Sequence, residues 1–316
     1  MIEQFARWLV LDIFKIPAQS LLAHALGFFV YDIIKIFLLL LVIIFTVSFI
    51  RTFLPPDKIR AILSRKHSWA GNIIAAAVGI ITPFCTCSAI PLFLGFIEAG
   101  VPLGVTFSFL VASPMINEVA LVMLWGMFGF KIALIYIVSG MAVAVAAGIV
   151  IGLLRPEKLL ENLHSDNKFF RPSNFQFRLG DRIEFSKIYT LDILKKIWVF
   201  IVIGVGLGAW IHGYVPADFL AKYAGKDNPF AVLAAVLIGI PLYSNAAGII
   251  PLVGALTEKG VAMGTALAFM MAVTGLSLPE FLILRKVMRL KLLFIFIGVV
   301  GLGIIFTGYL FNLLIR

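Results

Sequence analysis

Apolar residues fill eight long segments of the chain, and polar residues gather in the connections between them. The stretch from Ile36 to Phe49, for example, holds no charged residue. A helix needs about 20 mainly apolar residues to cross a bilayer, whereas a transmembrane β-strand shows a short alternating pattern. The pattern therefore predicts an all-α polytopic membrane protein. Its apolar segments fall at about 30–53, 70–97, 102–124, 130–154, 191–213, 230–257, 262–284 and 291–314.

The segment pattern occurs twice, at an offset of 160 residues that needs no gap in the central region. The paired stretches FIEAGVPLG and LTEKGVAMG run in step, and Gly79 falls on Gly239. Apolar composition alone would match Leu and Val but would not align Gly and Glu at one fixed spacing. The sequence thus predicts two homologous halves. The first is 1–154 with an interfacial helix at 1–28, a polar linker follows at 155–190, and the second half is 191–316.

Composition excludes several classes of protein. Of 316 residues, 62% are hydrophobic and 13% are charged, and the mean hydropathy is +1.08. Soluble domains carry about 25% charged residues, and no single water-soluble core could bury so much apolar surface. A cytosolic enzyme, a secreted module and a disordered chain are excluded. Two cysteines provide no disulfide framework.

The net charge of +10 reflects orientation in a membrane rather than nucleic-acid binding, because the basic residues cluster between apolar segments. If every segment spans, 12 Lys and Arg lie inside and 14 outside. If the second segment of each half enters and returns to the same side, the division becomes 18 to 8. The second arrangement predicts inverted repeats, each with three spanning helices plus a broken or re-entrant helical hairpin. Eight spans in two parallel repeats remain the alternative.

Two prolines eight residues apart interrupt the second apolar segment, in the run from Thr82 to Pro91, TPFCTCSAIP. Proline breaks the helical hydrogen-bond ladder, and free carbonyls at membrane depth must face protein or a water-filled cavity. The matching run of the second half is IPLYSNAAG. Under the pseudo-twofold relation, we expect Ser244 and Asn245 to approach Cys85 and Cys87 from the opposite face.

The two cysteines, with the adjacent Ser88, are candidate ligands for substrate or metal. Residues i and i+2 point about 200° apart on a helix, so Cys85 and Cys87 can share a ligand only where the chain is unwound. Two thiolates suit soft species such as trivalent arsenic, Cu(I) or Zn. A Cys-x-Cys pair alone is a weak signal, because free cysteine is also a common buried small residue.

Further polar residues lie inside the third apolar segment of each half. Ser113 and Asn117 in the first, and Thr274 in the second, are candidate substrate-binding residues. Glu118 and Glu280 are candidate coupling residues, because an acidic side chain within a span usually faces an internal pathway. The alternative is that both carboxylates lie near a membrane surface and are solvated.

The run TPFCTCSAIPLFLGFIEAGVPLG, followed by FLVASPMINEVAL, resembles the predicted permease family that contains the organoarsenical efflux permeases. IPLYSNAAGIIPLVGALTEKG with ALAFMMAVTGLSLPEFLIL resembles the family's second-half motif. The resemblance implies a multi-pass permease of the inner cell membrane. Some members export trivalent organic arsenicals, and relatives are associated with copper or zinc efflux. The family's cysteine motif falls on Cys85 and Cys87, and its ASP-x-x-N motif falls on Ser113, Pro114 and Asn117.

These features predict a secondary transporter, not an enzyme, that exports a thiophilic metalloid or metal through a site between the two broken segments. Its expected partners are the small substrate and the bilayer. Assembly into a homo-oligomer stays open, and no cofactor is expected. No GxxxxGK[ST] loop is present in the sequence, so ATP-driven transport would need a separate subunit. The alternatives are a channel and a membrane thiol-redox or sulfur-transfer protein, although neighbouring i, i+2 cysteines form only a strained ring.

Overall fold

A computed structural model describes residues 2–17, 20–52, 68–82, 86–98, 100–154, 179–214, 228–242, 246–285 and 287–315. The helices of the first half are α1 (Ile2–Trp8), α2 (Leu21–Arg51), α3 (Ser68–Ile81), α4 (Thr86–Glu98), α5 (Leu103–Met115), α6 (Glu118–Phe128) and α7 (Phe130–Leu153). Those of the second are α8 (Leu179–Tyr214), α9 (Ala231–Gly239), α10 (Ala246–Glu258), α11 (Met263–Gly275), α12 (Leu278–Leu284) and α13 (Leu290–Leu314).

The predicted apolar segments correspond to helices or to pairs of helices. The first and fourth segments of each half are single long helices, whereas the second and third are each divided in two. Within the described residues, four stretches are long and apolar enough to cross a membrane, and α5 with α6 forms a fifth that is bent by 45°. The four stretches are Leu21–Thr46, Phe130–Leu153, Met263–Leu284 and Leu290–Leu314. The prediction of an all-α, multi-pass membrane protein is confirmed.

Two helical stretches extend beyond the apolar segments: one lies within the predicted interfacial helix at 1–28, and the other lies within the predicted linker at 155–190. Helix α1 runs into a π-helical turn at Leu9–Ile13 and packs on α2, with Phe5 and Trp8 exposed. Helix α8 begins at Leu179, inside the predicted linker, so its first turns are polar. There the Arg182 guanidinium donates to the carbonyl of Thr52, at 2.5 Å, and to the Thr52 hydroxyl. This contact fixes the start of α8 against the end of α2.

The two halves repeat the same packing. In the first half α5 contacts α3, α4 and α7; in the second α11 contacts α9, α10 and α13. Between the halves, α2 packs on α8, α5 on α11, and α7 on α13, and each of these pairs joins equivalent helices. Of the four single candidate spans, the stretch of α11 and α12 is the most enclosed, and every residue of α5 is buried as well, so the core lies where α5 and α11 pack together.

Close glycine contacts recur at the 160-residue offset. A Cβ atom built on Gly104 would lie 2.5 Å from the Gly148 carbonyl oxygen, and one built on Gly264 would lie 2.5 Å from that of Gly308. Small residues at these points let helix backbones approach closely, as in other membrane helix pairs. Equivalent positions of the two predicted halves therefore make equivalent close contacts. The orientation of the halves relative to the membrane stays a prediction.

Candidate functional site

The broken third segments of the two halves meet each other. Helix α5 ends at Met115 and α6 begins at Glu118; α11 ends at Gly275 and α12 begins at Leu278. A Cβ atom on Gly275 would lie 3.6 Å from the Met115 Cβ and 3.7 Å from its Sδ. We call the region formed by 115–117 and 275–277, with the side chains bonded to it, the junction.

Each break has a local cause. Pro114 sits in the last turn of α5, and Ile116 leaves the helical region with φ −126° and ψ 86°. In the second half Gly275 ends α11, Leu276 has φ −139° and ψ 39°, and α12 starts with a proline in its first turn. Such breaks leave helix-end carbonyls and N–H groups without intrahelical partners. Inside a membrane protein those groups must be satisfied by other parts of the chain.

Tyr136 of α7 provides one of those partners. Its fully buried hydroxyl donates a hydrogen bond of 2.6 Å to the Met115 carbonyl oxygen at the end of α5. The hydroxyl of Thr274, from the other half, interacts with the same phenol and donates to the Met270 carbonyl at 2.9 Å. The junction is therefore a buried polar cluster that joins both halves. Sequence reasoning missed Tyr136 and Met115. The one available signal was that the position equivalent to Tyr136 in the second half is Phe296, so the hydroxyl is present in only one half.

The polar residues predicted for the first break have separate roles. Ser113 is fully buried and lies where α3 crosses α5, since a Cβ on Gly79 would be 3.1 Å from the Ser113 nitrogen. Asn117 caps α6, because its Oδ1 accepts a 2.7 Å bond from the Ala120 N–H. Glu118, the first residue of α6, is exposed. The structure thus brings Asn117 and Thr274 to the junction, places Ser113 at the crossing of α3 and α5 next to it in the chain, and leaves the Glu118 side chain outside it.

The helix that precedes each predicted ligand run ends beside the junction. In the first half, Gly79 of α3 contacts α5 close to Ser113. In the second half, the N–H of Leu278 at the start of α12 donates a 3.0 Å bond to the Ile240 carbonyl, just past the end of α9. Ile240 is four residues before Ser244, so the chain enters the run with Ser244 and Asn245 directly from the junction.

The predicted ligands themselves fall largely beyond what the structure describes. Cys85, Ser244 and Asn245 lie outside the described residues. Cys87 and Ser88 belong to the first turn of α4, which begins at Thr86, but their side chains are also outside the description. Across the described part of the chain, no group of three or more His, Cys, Asp or Glu side chains could hold a metal ion. The pairing of Cys85 and Cys87 with Ser244 and Asn245 stays a prediction.

Glu280, the third residue of α12, is only 1% exposed. Neither of its carboxylate oxygens makes a hydrogen bond to any residue that the structure describes. The Ser277 backbone N–H lies within interaction range, as expected for the pattern Ser-x-x-Glu at a helix start. The Ser277 side chain, however, makes no capping hydrogen bond, so the reciprocal capping box is not formed. Of the two predicted coupling residues, the structure buries Glu280 and exposes Glu118.

Comparison with known proteins matches residues 21–313 to a family described as a predicted permease. A UPF0718 protein of Methanocaldococcus jannaschii is 21% identical over 309 residues, covering 80% of this chain and 85% of that protein. A putative two-component membrane permease complex subunit of Streptococcus mutans is 24% identical over 262 residues, covering 82% and 85%. The UPF0718 protein YraQ of Escherichia coli is 24% identical over 268 residues, covering 83% and 73%. No solved structure matches the chain.

The family match covers nearly the whole chain, and it agrees with the membrane-spanning helices described above. The chain belongs to the ArsP-type predicted permease family and is a multi-pass membrane protein.

Proposed function

We propose that this permease is a secondary transporter of the inner cell membrane that exports a thiophilic metalloid or metal species, with a trivalent organoarsenical as the favoured substrate. The observation that carries the proposal is the meeting of the two broken spans at Met115 and Gly275. Both helices that lead into the predicted ligand runs end beside the same point. Broken helices that meet between two repeats are the usual construction of a substrate site in secondary transporters.

Contacts between equivalent helices support inverted repeats. Near one end of the α2 and α8 pair, a Cβ on Gly206 would lie 3.4 Å from the Phe29 ring. Near the other end, Arg182 bonds to Thr52. The two equivalent helices therefore pack antiparallel, as an approximate twofold axis parallel to the membrane plane would require. Rocking of two inverted halves about a shared site gives alternating access.

Cys85 and Cys87 are the proposed soft ligands. The opposed directions of i and i+2 side chains apply only within a continuous helix, so the proposal requires the chain to be unwound around Cys85 and Cys87, which the flanking prolines favour. The positive end of the α4 dipole would favour their thiolate forms. Ser88, Ser113, Asn117, Thr274, Ser244 and Asn245 would supply the polar wall around the substrate.

A transport assay in everted membrane vesicles tests the proposal. The probes are phenylarsine oxide, arsenite, Cu(I) and Zn²⁺, offered separately. We expect the wild-type chain to accumulate at least one probe, with phenylarsine oxide favoured, and Cys85→Ser and Cys87→Ser to lose that accumulation. Met127→Leu, which removes an exposed thioether away from the junction, is the matched control and should transport normally. Wild-type vesicles that take up none of the four probes, or cysteine variants that transport like wild type, would overturn the proposal.

The Streptococcus mutans relative, named as a subunit of a two-component membrane permease complex, favours a second candidate. In that candidate the chain forms the transport path only together with another subunit. Purified chain reconstituted alone into liposomes distinguishes the two. Transport by the chain alone supports the single-subunit carrier, whereas transport that appears only after membrane extract is added supports the complex.

A further inference from the structure

Glu280 is a buried carboxyl group for which the described part of the chain supplies no side-chain partner. It is 1% exposed, and neither oxygen is hydrogen-bonded within the described part of the chain. An ionised carboxylate is very costly in such surroundings unless a cation or several donors compensate it. With no such partner among the described residues, burial favours the neutral, protonated form of Glu280.

No described charged group compensates Glu280. Helix α12 packs on α8 and α4, and it touches the end of α9 through Leu278 and Ile240. Helices α9 and α11 carry no titratable residue. Among the charged residues of α8 with described side chains, Arg182 bonds to Thr52. The others are exposed: Asp181, Glu184, Lys187, Asp192 and Lys195. Tyr189 of α8 stacks on Phe185, and Arg285 at the end of α12 is exposed. The remaining titratable side chains on these helices lie outside the description: Cys87 and Glu98 of α4, and Lys196, His212 and Tyr214 of α8.

The fold does not need a carboxyl at this position. The equivalent residue in the first half is Ala120, which is fully buried, so a methyl group fills the corresponding place. Asn117 caps α6 there, whereas α12 is held by the bond from Leu278 to Ile240. A buried polar group without a partner normally costs stability. Its presence in only one half, beside the junction, points to a role in transport.

We propose that Glu280 is the proton-binding site that couples transport to the proton gradient. This inference rests on the proposed transporter function. The carboxyl holds one proton while the junction is closed around it. When rocking of the halves opens the junction to water on the inner side, the carboxyl ionises and releases that proton to water. It is reprotonated from the outer side, so one proton enters for each substrate molecule exported.

An infrared measurement on purified protein in detergent tests proton binding without any substrate. We expect wild-type protein at neutral pH to show the carbonyl stretching band of a protonated carboxyl, and Glu280→Gln to lose it. Glu258→Gln, which changes an exposed acid at the end of α10, is the matched control and should keep the band. A band that survives in Glu280→Gln, or one that disappears in Glu118→Gln instead, would overturn the assignment.

Transport in liposomes tests the coupling itself, with phenylarsine oxide as the probe. We expect Glu280→Gln to lose accumulation driven by a pH gradient while still exchanging internal for external probe at equal pH. Gradient-driven accumulation by Glu280→Gln at the wild-type level would overturn the coupling role. If the wild-type chain transports no phenylarsine oxide, the proposed substrate fails. The infrared band then still decides whether Glu280 binds a proton.

Discussion

Met115 and Gly275 occupy the same position in the two halves of the chain, and they are in contact with each other. Val143 and Gly303 form a second pair of this kind, because a Cβ on Gly303 would lie 3.0 Å from a Val143 methyl carbon. Under the proposed inverted-repeat arrangement, the pseudo-twofold axis would pass between the members of each pair. The junction would then lie on that axis, and rocking of one half against the other would change its contacts.

The Met115–Gly275 contact predicts that cysteines introduced at these two positions form a disulfide between the halves. A Cβ–Cβ separation of 3.6 Å lies within the range of about 3.5–4.5 Å that disulfides adopt. We expect Met115→Cys with Gly275→Cys, made in a Cys85→Ser, Cys87→Ser background, to form the bond on mild oxidation. The measurement is a non-reducing gel after cleavage at a protease site inserted between residues 155 and 178. The two halves should migrate together until reductant is added.

The matched control for this crosslink pairs Met115→Cys with Gly298→Cys, because Gly298 has no neighbouring atom within 4 Å of its Cβ position. That pair should separate on the non-reducing gel. Equal crosslinking of both pairs would mean that the contact between the broken helices does not position these residues.

Removing the Tyr136 hydroxyl should destabilise the junction. Tyr136→Phe leaves the buried Met115 carbonyl without its 2.6 Å hydrogen bond, which costs about 1–3 kcal/mol. The phenyl ring itself should fit, since Phe296 stands at the equivalent position. Thermal unfolding in detergent measures the change. Tyr309→Phe is the matched control, because its exposed hydroxyl bonds to the Pro229 carbonyl where water can replace it. A loss for Tyr309→Phe as large as that for Tyr136→Phe would contradict this account.

The glycine contacts predict which helix positions tolerate a methyl group. A Cβ on Gly148 would overlap the Gly104 carbonyl and the Ser108 hydroxyl, and it would lie 2.9 Å from the Asn72 Oδ1. Overpacking of this kind costs about 1–3 kcal/mol, so Gly148→Ala should lower the unfolding temperature. Gly126→Ala meets open space, and we expect it to be neutral or slightly stabilising, since alanine favours helix. The tight-packing interpretation fails if the two variants unfold at the same temperature.

The positions of the helices could be predicted from sequence, because a bilayer requires long apolar segments and those segments are visible in composition. The division of the third segments could not. Pro114 marks the first break, but the second, after Gly275, has no proline before it and depends on tertiary contacts such as Leu278 to Ile240. The polar start of α8 was likewise assigned to the linker, because composition does not register the contact of Arg182 with Thr52.

Glu118 and Glu280 show the same limit within the candidate site. Both are acidic residues in the third segments, and sequence offered only weak grounds for ranking them. In the structure the first residue of α6 is exposed, whereas the third residue of α12 is covered by its neighbours. Which carboxyl is buried depends on its position in the helix, first for Glu118 and third for Glu280, and on the helices packed around each break. Neither can be read from apolar patterning.

Cysteine labelling tests the inverted orientation of the halves. The excess of Lys and Arg on one side of the proposed topology predicts that residues 60 and 171 both face the cytoplasm, whereas parallel repeats would place them on opposite sides. Arg60→Cys, Arg171→Cys and Lys259→Cys are made singly in the Cys85→Ser, Cys87→Ser background. An impermeant maleimide is then applied to intact cells and to permeabilised cells.

Lys259→Cys, outside in both arrangements, should react in intact cells and serves as the accessible control. Arg60→Cys, inside in both, should react only after permeabilisation. We expect Arg171→Cys to behave like Arg60→Cys, and its labelling in intact cells would establish parallel repeats and end the proposal of rocking inverted halves.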